Sequence, residues 1–139
     1  MTRDFARRWV QLAAAVSVAV GLTAAAASVP ALQGPWLMLF DLLTWPMDGE
    51  PEGFDRTGRA LNAVLGGVLI GWSVLMWLLC AGSVRAGDRP VAGYMVSALL
   101  IWFCIDGAGS RAAGVPGNVV LNCLFLLMFL PPLLRLRHG

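Results

Sequence analysis

Four apolar stretches, each close to the length of a bilayer crossing and joined by short links, leave this chain few ways to fold. They run over about 9–29, 61–84, 91–110 and 115–134, and about 20 helical residues cross a hydrocarbon core. The third reaches that length only if its helix continues from Val91–Ile105 through Asp106 to near Ser110. Of 139 residues, 58% are hydrophobic and only 13% charged, whereas soluble domains carry about 25% charged residues. The expectation is a single all-α domain over 1–139, an integral membrane four-helix bundle. Spans and links use nearly the whole length, so no room remains for a soluble catalytic domain, and the chain is read as a non-enzyme.

The charged residues narrow the chemistry and suggest an orientation. All ten basic residues are Arg, which removes any lysine Schiff base. His138 is the only histidine, so no imidazole is placed to ligate a haem inside the membrane. Cys80, Cys104 and Cys123 lack C-x-x-C spacing and read as small packing residues rather than metal ligands. A net charge of +2 is too small for a nucleic-acid partner. No cofactor and no metal are expected. Seven arginines (3, 7, 8, 85, 89, 135 and 137) flank one side of the spans, against Arg56, Arg59 and Arg111 on the other. The positive-inside rule then puts both termini in the cytoplasm, with the lipid bilayer as first partner. The rival reading of the start is a cleavable leader ending near Ala31.

Small residues mark where helices approach. Ala14, Ser17, Gly21, Ala24 and Ser28 repeat at spacings of three and four, a seam suited to close packing in lipid. The second span carries Asn62, Gly66, Gly67, Gly71 and Ser73, with Gly67 and Gly71 in G-x-x-x-G spacing. That pattern fits either internal packing or a homodimer seam. Trp72 and Trp77 fall on different faces of the same helix.

The outer loop, about 30–58, opens with a half-helix over about 35–46, bounded by prolines and too short to span. Trp36 and Trp45 are expected to anchor it in the headgroup region, as an interfacial or re-entrant helix between spans one and two. Asp41, Thr44 and Asp48 share one of its faces. Beyond it, Asp48 to Asp55 reads as a solvated acidic turn. A calcium loop fits poorly, because a proline interrupts it and Arg59 stands where the bidentate glutamate belongs.

Where spans three and four meet, the chain gathers Asp106, Ser110, Arg111, Asn118 and Asn122. Polar and ionisable side chains at membrane depth face protein or a water-filled cavity and mark sites of function. Gly107 and Gly109 are expected to loosen the end of one helix, and Pro116 suits the first turn of the next. Asp106 is then placed to accept from the free amides of span four, with Arg111 or Arg59 as counter-charge. Asn118 and Asn122 lie four apart on one face and either hold helices together or present hydrogen bonds to a ligand.

These residues carry a resemblance. Trp45-Pro46-Met47-Asp48-Gly49, the Gly66-Gly67 and Gly71-Trp72 pairs, and Trp102-Phe103 with Asp106, Gly109-Ser110, Gly114, Asn118 and Asn122 resemble the pattern of a family of short, uncharacterised bacterial inner-membrane proteins. The resemblance covers roughly the last two-thirds of the chain. It implies four spans and a shared polar junction, and no activity, substrate or cofactor. Some members carry names borrowed from DNA excision repair, yet this chain has no P-loop, zinc pattern or basic groove. Three functions remain in view. First comes an accessory or interaction subunit packing against a larger membrane complex or its own copies through Ala14, Ser17, Gly21, Gly66, Gly67 and Gly71. The alternative is a small oligomeric transporter or channel with a polar path near Asp106, Asn118 and Asn122. An enzyme using Asp106 as a base ranks last, for want of a nucleophile, metal cluster or second acid.

Overall fold

The computed structural model describes residues 1–44 and 49–138. The described residues form five α-helices and one 3-10 turn: α1 (Arg3–Ala26), the turn (Pro30–Leu32), α2 (Gly34–Leu43), α3 (Arg56–Ala81), α4 (Arg89–Ala112) and α5 (Pro116–His138). Local chemistry sets these limits. The Thr2 hydroxyl accepts from the Phe5 amide at 3.3 Å to start α1, the Asp55 carboxylate accepts from Gly58 at 2.6 Å to start α3, and Asp88 serves α4 in the same way. Gly87 and Gly114 hold the positive φ angles, +100° and +75°, that the turns around α4 require. The chain turns at Gly114, within the link expected between spans three and four, while Gly107 and Gly109 lie inside α4 and do not loosen its end.

α1, α3, α4 and α5 are each long and apolar enough to cross a membrane. At 23–26 residues and 1.5 Å per residue they reach about 35–39 Å, beyond a 30 Å core. Their flanks explain why they need one. Leu12, Val64, Val68, Ile101, Ile105, Leu124 and Leu127 stand exposed, Ile105 by 71%. Water would make so much continuous apolar surface untenable, and acyl chains solvate it without cost. The chain is an all-α integral membrane protein built as a helical bundle.

The four long helices alternate in direction. α1 lies between α3 and α5, and α5 packs on α4. Arginines tie one end together: Arg3 Nη2 donates to the Val84 carbonyl at 3.3 Å, Arg135 Nε donates to the Met1 carbonyl at 2.8 Å, and Arg137 lies beside Gly93. Near this end Val10, Ala13, Ala14, Met76, Cys80, Leu99, Phe129, Leu133 and Leu136 make one closed core. Pro132 is buried within α5. With Pro131 beside it, α5 forgoes two of its backbone hydrogen bonds in this turn.

The tightest crossing joins α1 to α3. A Cβ on Gly66 would lie 2.5 Å from both the Gly21 carbonyl oxygen and the Ala25 nitrogen, so only glycine fits. Ser17 and Ser73 are buried beside it and return their hydroxyls to Ala13 and Leu69 of their own helices, at 2.9 and 2.6 Å. Ala14, Ser17 and Gly21 therefore pack as the spacing predicts. Gly67 and Gly71 do not: a Cβ at either would meet nothing within 4 Å. Internal packing uses Gly66 alone, because Gly67 and Gly71 fall on the face of α3 turned away from α1.

At the opposite end α2 runs from α3 to α5. Its Trp36 is 5% exposed and donates its indole N–H to Asn62 Oδ1 at 3.0 Å. This corrects the expectation of a headgroup anchor, since the buried amide draws the indole inward. Trp45 and Asp48 lie outside the described residues. Asp41 is buried and accepts from the Gly49 amide at 3.0 Å, whereas Thr44 is exposed and donates to the Phe40 carbonyl. Leu43 seats on Gly117, where a Cβ would come within 2.8 Å of the Leu43 Cα. The helix is thus pinned at both ends.

Candidate functional site

The four helices do not close evenly. α3 and α4 meet where Trp72 and Trp102 stack, with ring centroids 6.4 Å apart. Phe129 supports Trp72 edge-on at 5.2 Å and Phe125 supports Trp102 at 6.3 Å. From this aromatic block toward α2 the helices leave a cavity of about 650 Å³, within the 300–1,000 Å³ typical of small-molecule sites. Leu65 and Leu69 form one wall, Trp102, Asp106 and Ser110 another, Asn118, Leu121 and Asn122 a third, and Phe40 and Leu43 the end.

Among the described residues that line the cavity, Asp106 is the only ionisable one. Its Oδ1 accepts from Ser110 Oγ at 3.0 Å, Asn118 Nδ2 at 3.0 Å and Asn122 Nδ2 at 2.9 Å. Asn118 Nδ2 also donates to Ser110 Oγ at 2.7 Å. The amide orientations follow from this network, since each nitrogen must face the carboxylate. Helical spacing builds the arrangement: Asp106 and Ser110 are one turn apart on α4, and Asn118 and Asn122 are one turn apart on α5. Asn118 belongs to the first turn of α5, so the carboxylate lies beside the positive end of that helix.

The structure brings together four of the five residues expected at the junction. Arg111 is the exception. It is exposed, and among the described residues it makes no ion pair with Asp106, because it falls on another side of the last turn of α4. Arg59 is occupied elsewhere, donating from Nη1 to the Phe54 carbonyl at 2.8 Å. The free amides of α5 were the expected donors, but side-chain nitrogens take that place.

Several cavity residues escape a reading of the sequence. Trp102, Phe40, Leu43 and Leu65 look like any lipid-facing residue in an apolar run. Trp72 is half-buried and Trp77 is 42% exposed, as their spacing predicts, yet nothing in the spacing tells a cavity wall from a lipid face. Asn62 carried a signal: a polar residue near the start of an apolar block needs a partner, and a tryptophan indole is a ready one. Chemically, the site offers carboxylate and amide oxygens above an aromatic and aliphatic chamber. Among the described residues no three His, Cys, Asp or Glu side chains converge to hold a metal ion. No family model, curated protein or solved structure matches the chain.

Proposed function

We propose that this protein acts by binding rather than by chemistry, as an accessory or interaction subunit of the bacterial inner membrane with both termini cytoplasmic. The observation that carries this reading is the outward face of α3. Gly67 and Gly71 have the spacing of a close helix crossing, and neither is used inside the protomer. Two glycines in a helix cost about 1 kcal/mol each relative to alanine, and a crossing with another chain offsets that cost. The gathering of Arg3, Arg135 and Arg137 at the end that carries both termini supports the orientation.

The test is mild-detergent capture of the tagged protein from its own membranes, with mass spectrometry of co-migrating chains, repeated with Gly67→Leu. The expected result is a stoichiometric larger complex that Gly67→Leu releases while the protomer stays folded. A protein that migrates alone, or a complex indifferent to Gly67→Leu, contradicts the reading. A second reading, a small oligomeric transporter, is favoured by the polar cluster of Asp106, Asn118 and Asn122 that opens on the cavity. It is supported if capture yields only copies of this chain.

A further inference from the structure

The hydrogen bonds around Asp106 leave a one-sided remainder. Three donors converge on its Oδ1, and the Asn118 amide nitrogen donates to Ser110 Oγ as well. Among the described residues no donor reaches Asp106 Oδ2, Asn118 Oδ1 or Asn122 Oδ1. None of these oxygens is among the buried atoms sealed off without a partner. They open instead onto the cavity that their residues line. Asn122 is only 3% exposed, so its remaining acceptor is held in place. What faces the cavity is a carboxylate beside two asparagine amides, with no basic residue among the described lining residues and no lysine in the chain.

A carboxylate at membrane depth needs a compensating charge, and Arg59 and Arg111 do not supply one here. The complement of a carboxylate that faces an apolar cavity without a counter-charge is a protonated amine, whose N–H groups make charge-assisted bonds to it and can reach the neighbouring amide oxygens. The rest of the chamber is apolar: Trp72, Trp102, Phe125, Leu65 and Leu69 surround a volume of about 650 Å³. A zwitterionic phospholipid fits less well, because its phosphate would come near Asp106 without any arginine to receive it. We infer that the cleft between α3 and α4 binds an amphiphilic organic cation, its ammonium on Asp106 and the amide oxygens and its apolar body against Trp72, Trp102 and Phe125. This site lies on the opposite flank of α3 from Gly67, so it stands whether or not the accessory-subunit reading does.

The test uses the full chain in phosphatidylcholine nanodiscs and equilibrium dialysis of radiolabelled hexylammonium, with empty discs subtracted. Saturable one-to-one binding is expected, and hexan-1-ol, matched in length but uncharged, should bind at least about tenfold more weakly, the scale of one hydrogen bond to a charged group. Asp106→Asn should weaken hexylammonium by about the same factor. Because that change also alters a helix contact, Leu65→Trp provides the second variant: it leaves the acid untouched, narrows the chamber at its α3 wall and should weaken binding while circular dichroism stays unchanged. Equal affinity for the alcohol, absence of saturable binding, or unchanged binding in Leu65→Trp overturns the inference. Displacement of hexylammonium by phosphatidylethanolamine included in the discs also overturns it, assigning the site to a lipid headgroup.

Discussion

The two flanks of α3 are both apolar, yet one is shut and the other open. Toward α1, Gly66 and Gly21 let two backbones touch. Toward α4, Trp72 and Trp102 prop the helices apart and leave a chamber ending in Asp106. Hydrophobicity cannot account for the difference, because lipid solvates either flank equally well. In a bilayer, association is decided by the size of the residues at the crossing and by the polar groups that must find partners. The glycine flank therefore carries stability, and the tryptophan flank leaves a volume for something else.

The contrast breaks most severely at Gly66. Gly66→Leu places a side chain where even a Cβ does not fit, and it should cost about 3 kcal/mol or prevent folding, as overpacking does at its upper end. Detergent-unfolding titration followed by circular dichroism checks this. Next comes Trp36→Phe, which keeps the ring but leaves the Asn62 amide wholly without a partner, since its Nδ2 is already unsatisfied. A loss of about 1–3 kcal/mol is expected in the same assay, the cost of stranding a buried polar group. On the open flank, Asn122→Leu removes one donor to Asp106 and should cost about 0.6 kcal/mol, the mean for hydrogen bonds between helices in membranes. A much larger loss would mean that the polar cluster is the main joint between α4 and α5. The smallest effect belongs to Gly67→Leu, which should leave protomer stability within about 0.5 kcal/mol.

Much of this architecture was legible in the sequence, because length and hydropathy alone separate spans from links. The four spans, the short helix after Pro35 and the cluster of Asp106, Ser110, Asn118 and Asn122 all follow from spacing. The choice of glycine did not. Gly66 and Gly67 are adjacent and equally small, and only the rotation of α3 against α1 determines which is used. Trp36 was misplaced for a related reason: a tryptophan near a membrane boundary suits the headgroups equally well, and Asn62, 26 residues away, decides the matter. The turn at Gly114 falls in the link left between spans three and four, but Gly107 and Gly109, expected to loosen the end of α4, stay helical because a helix packed along α5 tolerates interior glycine. The cleft itself was hidden, since a residue facing lipid and a residue facing an apolar chamber obey the same hydropathy.

The most direct test of the open and shut flanks is carbene footprinting in a bilayer, with a lipid-soluble diazirine and residue-level mass spectrometry. The expected result is labelling of Leu65, Leu69, Leu121 and Phe125 in the cleft, with Val10, Ala14, Met76 and Leu133 in the closed core protected. Protection of the cleft residues to the same degree as the core would mean that α4 closes against α3, and it would contradict the account.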